Sequence, residues 1–172
     1  MEHYEYSAAV RLTGGMITGL VAGAIMALVA MCRALVMGLG FWTPMKLVAA
    51  TYFGLGALIA GGGAVDVGIV THLVLSALAG AVFGLLFGNW LHKASALAVG
   101  VLYGVAIWAL NTWVVLPWLN VVMLQRELAG PGWWWTLHVT FGGFMLFMPP
   151  IVHALGRRRP TAARPQATPA AA

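Results

Sequence analysis

The chain has 172 residues, 62% of them hydrophobic and only 8% charged, with a mean hydropathy of +0.92. A soluble domain carries about a quarter charged residues, so a water-soluble globular fold is excluded, and disorder with it. The formal charge of +5 gathers at the C-terminus as Arg157, Arg158, Arg159 and Arg164, which reads as a flank held at an anionic leaflet and not as a nucleic-acid footprint.

What remains is an all-α, polytopic transmembrane helical bundle. A spanning helix needs about 20 mainly apolar residues. Residues 1–13 read as an N-terminal cytoplasmic segment, ahead of a bundle over 14–155. The first span covers about 14–38, with Arg33 near its far end able to reach the headgroups. This run lacks a basic n-region and an A-x-A exit site, so it is expected to be a retained helix. Met31 before Cys32 makes a poor lipobox, and Cys32, the one cysteine, reads as a packing residue.

A turn-rich stretch with Trp42 and Pro44 follows, then an apolar segment over about 46–62 that ends in Gly61-Gly62-Gly63. It can be read as a fifth span, but at about 16 residues it barely crosses hydrocarbon, so it is expected to be a short interfacial or re-entrant helix. The remaining spans are placed at about 66–88, 94–117 and 133–155, followed by a disordered basic tail over 156–172 that is rich in Pro and Ala. Four spans and the distribution of Lys and Arg place both termini in the cytoplasm of a bacterial inner membrane.

Lipid is as apolar as Leu, so membrane helices associate through close approach at small residues. The first span carries Gly15, Gly19, Gly23 and Ala27 at steps of four, and the second carries Ser76, Gly80, Gly84 and Gly88. Gly100 and Gly104 mark the third, and Gly142 and Gly143 the fourth. The tryptophans Trp42, Trp118, Trp133, Trp134 and Trp135 fall at one interface and Trp90 at the other, as depth anchors.

One pattern occurs twice: a Gly-bearing helix, a Pro/Trp connection, then a helix with His72-x3-Ser76 or His138-x3-Gly142. This implies a two-fold repeat of helix pairs, related by an axis along the membrane normal, with both imidazoles at similar depth.

Ionisable groups inside a membrane mark function by default, which makes His72 and His138 the candidate cofactor-binding residues. Ser76 and Asn111 are candidate supporting groups, Asn111 through an interhelical hydrogen bond. Paired inward histidines can ligate haem b, hold copper with Met26, Met31, Cys32, Met145 or Met148, hydrogen-bond a quinone, or pass protons. They can equally bond a Ser hydroxyl or a neighbouring carbonyl and do nothing more. Of the other residues, His92, Lys93 and His153 read as solvated flanks, and Asp66 as a charge at the start of the second span. Pro149-Pro150 is expected to kink the fourth span. Glu2, Glu5, Asp66 and Glu127 lie near ends or loops and far apart, so neither paired-carboxylate chemistry nor a phosphate cradle is indicated, and no catalytic or metal-ligand set is assigned.

His72-x3-Ser76-x3-Gly80-x2-Phe83-Gly84, Tyr103-Gly104-x3-Trp108 with Pro117, and His138-x3-Gly142 resemble motifs of a family of small prokaryotic four-helix membrane proteins without an established activity. The resemblance covers about 14–155 and implies four spans in the order given. The chain departs from it at Phe141 and Pro149-Pro150.

Three functions are compatible with these features. The expected one is a non-enzymatic structural or accessory subunit, packing through Gly-rich faces into a larger membrane complex or homo-oligomer. The alternatives are a redox or ligand-binding module built on the two histidines, and a small oligomeric transporter or channel.

Overall fold

The computed structural model describes residues 6–89 and 93–156, which are helical throughout their regular structure and contain no strand. Four helical segments are long and apolar enough to cross a membrane: Ala8–Val36, Gly62–Phe87, Ala94–Leu119 and Pro131–Gly156. Helix α1 (Ala8–Val36) is the first span and α4 (Gly62–Phe87) the second. The third span runs through α5 (Lys93–Leu110), a π-helical turn (Asn111–Val115) and α6 (Leu116–Leu119). The fourth joins α8 (Pro131–Gly143) through a 3-10 turn (Phe144–Phe147) to α9 (Met148–Gly156). Both interruptions come just before prolines, Pro117 and Pro149-Pro150, which remove a backbone N–H and crowd the preceding turn.

The segment after the first span does not cross. Pro44 near its start opens α2 (Thr43–Phe53), and Gly54, at φ +55°, ends it before the short α3 (Gly56–Ile59). Met45, Leu47, Ala49 and Ala50 are buried, so the segment lies folded against the bundle. It approaches α4 closely at Gly68, where a Cβ would lie on the Met45 carbonyl. The remaining short helix, α7 (Val121–Ala129), is tied to α2 through its capping residue and so lies at the same end of the bundle, here termed the connector end.

The burial pattern inverts that of a soluble protein. Every buried residue of α1 is small: Gly14, Gly15, Thr18, Gly19, Ala22, Gly23, Ala27, Ala30 and Ala34. The large apolar side chains point outward, among them Leu28, Val70, Leu78, Leu102 and Trp118. That arrangement suits lipid, which solvates Leu as well as a protein interior does, and leaves backbone proximity as the source of cohesion. A Cβ at Gly15 would fall on the Gly80 carbonyl, and one at Gly19 on the Ser76 carbonyl. In the second pair of spans a Cβ at Gly100 would fall on the Gly142 carbonyl, and one at Gly104 on the His138 carbonyl.

These crossings set the register of the two helix pairs. Gly15 and Gly19 match Gly100 and Gly104, Gly80 matches Gly142, and His138 matches Ser76 rather than His72. The alignment of His72 with His138 read from the sequence is therefore one turn out. The pairs also differ in their cross-packing. The first span packs closely on the fourth, whereas the third reaches the second through long side chains: the Tyr103 hydroxyl donates to the Ala79 carbonyl at 2.7 Å, and its ring meets Phe83 at 5.1 Å between centroids. The wider gap between spans two and three makes room for a cavity. The larger core residues, Phe83, Phe141, Met145, Met148 and Val152, fill the bundle toward the other end.

Several expectations need correction. Cys32 is exposed on the outer face of α1 and does not pack inside. His153 is not simply solvated, since its Nδ1 lies 2.6 Å from the Tyr6 hydroxyl. Asp66 is exposed in the second turn of α4, which begins four residues earlier than placed. His92, Trp90, Glu2, Glu5 and the arginines at 157, 158, 159 and 164 lie outside the described residues.

Candidate functional site: a polar corner in an apolar cavity

A cavity of about 320 Å³ opens between the spans toward the connector end. His72 and Ser76 of α4, Asn111 of the π-helical turn and His138 of α8 all line it. Three spans thus bring together the four polar residues singled out from the sequence. Most of the remaining wall is apolar, including Met26, Leu75, Ile107, Leu137 and Phe141. Leu116 and Leu119 of α6 and Met123 of α7 close it at the connector end. Leu75 and Leu119 are also exposed on the lipid-facing surface, so the rim meets the surrounding hydrocarbon.

His72 is half-buried, and its Nε2 lies 2.9 Å from the Gly23 carbonyl of α1. Gly23 makes this contact available: a Cβ there would collide with the Ser76 side chain and stand 3.6 Å from His72 Nε2. His138 is buried, and its Nδ1 lies 2.9 Å from the Trp134 carbonyl one turn back on its own helix. A carbonyl can only accept, so each ring donates through the nitrogen that faces it. In the neutral rings this leaves His72 Nδ1 and His138 Nε2 as lone pairs.

Ser76 does not support either ring, because its hydroxyl donates to the His72 carbonyl at 2.7 Å. Asn111 does not make the interhelical bond expected of it. Among the described residues its amide has no partner, and it stands half-buried on the cavity wall at the first residue of the π-helical turn. Such turns widen the backbone and recur at functional positions.

The donor set bears on cofactor identity. Of the sulfur atoms considered for copper, only Met26 lines the cavity; Met145 and Met148 are buried in the core and Cys32 is exposed. Among the described residues no three His, Cys, Asp or Glu side chains gather as a metal-ligand group. A haem held between the two rings through their Nε2 atoms is not what these residues offer, because His72 Nε2 is already engaged with Gly23.

Two residues were not foreseen: Asn120, which is on the cavity wall, and Glu127, which is not. Asn120 caps α7 by accepting from the Met123 N–H at 2.9 Å, while its amide donates to the Leu47 carbonyl at 2.8 Å and Thr51 Oγ1 at 2.9 Å. It thereby clamps α7 onto α2. Glu127, one turn beyond Met123 on the same face, is 1% exposed and not in a loop. Its Oε2 accepts from the Thr112 hydroxyl at 2.6 Å, and its Oε1 is buried without a partner. Burial pushes this carboxyl up from its ordinary range, and the Thr112 hydrogen bond pulls it partly back. The spacing of Asn120, Met123 and Glu127 at steps of three and four, after a capping Asn, is the sequence signal for this inward face. At the same end, the Arg33 guanidinium lies 4.4 Å above the Trp133 ring, and Trp134 Nε1 donates to the Arg126 carbonyl at 3.2 Å.

Compared with protein-family models, curated proteins and solved structures, the chain has no match.

Proposed function

We propose that this multi-pass membrane protein holds a small lipid-soluble molecule in the cavity, with His72, His138 and Asn111 as its polar contacts. One observation carries the reading: three spans deliver unpartnered polar atoms to a single apolar cavity. Unpaired polar groups inside a membrane are costly, and a ligand that satisfies them offsets that cost. A volume of about 320 Å³ falls in the range of small-molecule sites, which begin at about 300 Å³. The rim on the lipid-facing surface supports entry from the bilayer.

The ligand is held and not transformed in this reading, so the protein is a non-enzymatic accessory component of a bacterial inner membrane, with both termini inside and the connector end outside. Docking into a larger complex through the Gly faces has less support. Gly15, Gly19, Gly80, Gly84, Gly100, Gly104 and Gly142 already meet backbone within the chain.

The test is solvent extraction and mass spectrometry of protein purified from membranes, comparing the wild type with Ala79→Phe, which fills the cavity. A near-stoichiometric small molecule from the wild type, depleted in the variant, is the expected result. Identical extracts from both folded proteins refute the reading.

A further inference from the structure

We infer that the cavity selects a ligand bearing two hydroxyl donors on a flat apolar body, a quinol in chemical class, over the oxidised quinone of the same skeleton. The inference rests on the reading of the cavity as a ligand site and adds which hydrogen-bonding partner the site requires.

The polarity of the two histidines decides it. Each has an N–H committed to a backbone carbonyl, at 2.9 Å in both cases. The nitrogens left over are acceptors, His72 Nδ1 on one wall and His138 Nε2 on another. A quinone carbonyl placed against either nitrogen sets lone pair against lone pair, which loses the bond and leaves two desolvated acceptors. A hydroxyl donates to each. Asn111 supplies one further donor and one acceptor from the third span, so it suits either redox form and does not discriminate. Ser76 adds no donor, since its proton lies on the His72 carbonyl; the other hydroxyls on the wall are those of Thr71, which donates to Tyr52 at 3.3 Å, of Tyr52 itself at the exposed rim, and of Thr51, which accepts from Asn120 at 2.9 Å.

The size of the space separates this class from a bare metal ion. Metal ligands close to about 2 Å around the ion, whereas this cavity of about 320 Å³ is walled mostly by apolar side chains, from Ala and Val to Leu, Ile, Met and Phe. It has the dimensions and apolarity of a site for an aromatic ring.

The test is calorimetric titration of detergent-purified full-length protein with three probes: a short-chain benzoquinol, the matching benzoquinone, and the matching dimethoxybenzene, which has the ring but no donors. The quinol is expected to bind at least tenfold more tightly than the other two. His72→Ala and His138→Ala should each weaken quinol binding about tenfold and leave quinone binding unchanged, while Asn111→Ala should weaken both. Size-exclusion profiles matching the wild type establish that the variants fold, and His→Gln variants, which restore a polar side chain of similar reach, provide a second series. Equal binding of all three probes overturns the donor assignment and leaves the cavity as a ligand site. Binding of none overturns the quinol assignment, and the ligand-site reading then falls only if the wild-type and Ala79→Phe extracts are also identical. Stoichiometric copper(I) binding that is lost in both histidine variants overturns the quinol assignment in favour of a metal pair.

Discussion

Gly142 and Gly143 are neighbours in sequence but meet opposite surroundings, and together they test the packing of spans three and four. A Cβ at Gly142 would rest on the Gly100 carbonyl oxygen, with the Gly100 carbonyl carbon at 2.8 Å and the Gly104 Cα at 3.1 Å. All three neighbours are backbone, so no side chain can rotate away. Carbon atoms pack at about 3.5–4.0 Å, so the two spans must separate by roughly 1 Å, which forfeits a quarter to a half of each dispersion contact along the crossing. Overpacking of this kind costs about 1–3 kcal/mol. A Cβ at Gly143 has only Leu97 Cδ1 within reach, at 3.9 Å, an ordinary contact. There the higher helix propensity of Ala should stabilise by a few tenths to about 1 kcal/mol. Thermal unfolding in detergent, followed by the fraction that stays monodisperse after heating, reads the difference. Gly142→Ala should melt several degrees below the wild type, at roughly 2–4 °C per kcal/mol for a chain of this size, and Gly143→Ala at or slightly above it. If the two variants shift together, or in the reverse order, the assignment of the interface to Gly100, Gly104 and Gly142 is wrong.

Two further outcomes concern the cap formed by α7. The folded protein holds the Glu127 carboxyl up through burial, so between the unfolded and folded titration ranges the folded state binds more protons. Stability is therefore greatest below the unfolded carboxylate range of about 4–4.5 and falls as the pH rises above it. Glu127→Gln cannot ionise, so its melting temperature should exceed that of the wild type at pH 8 and approach it at pH 4; parallel profiles would sink the argument. Asn120→Ala removes three hydrogen bonds and the cap of α7. It should cost roughly 2 kcal/mol or more and speed amide hydrogen exchange across residues 121–129, with exchange in α1 unchanged.

The class of this protein and its four spans follow from the sequence alone, because apolar length is a local property that no distant contact alters. The interruption at Pro149-Pro150 is equally local, since prolines lack N–H groups wherever they sit, whereas Pro117 read as the end of the third span and lies inside it. The Gly and Ala positions at steps of four were legible as faces of close approach, and His72, Ser76, Asn111 and His138 were legible as polar residues out of place in lipid.

Which way each face turns was left to the tertiary structure. A helix that is apolar all round carries little periodic signal about its rotation, so Cys32 reads as a packing residue yet faces outward. Register across a crossing depends on which carbonyl meets which glycine, and this makes His138 the counterpart of Ser76 and not of His72. The buried state of Glu127 required α7 to be clamped onto α2 through Asn120, a contact spanning 73 residues of sequence. The tautomers of the two histidines, and with them the character of the cavity, were fixed only when Gly23 and Trp134 brought their carbonyls within 2.9 Å.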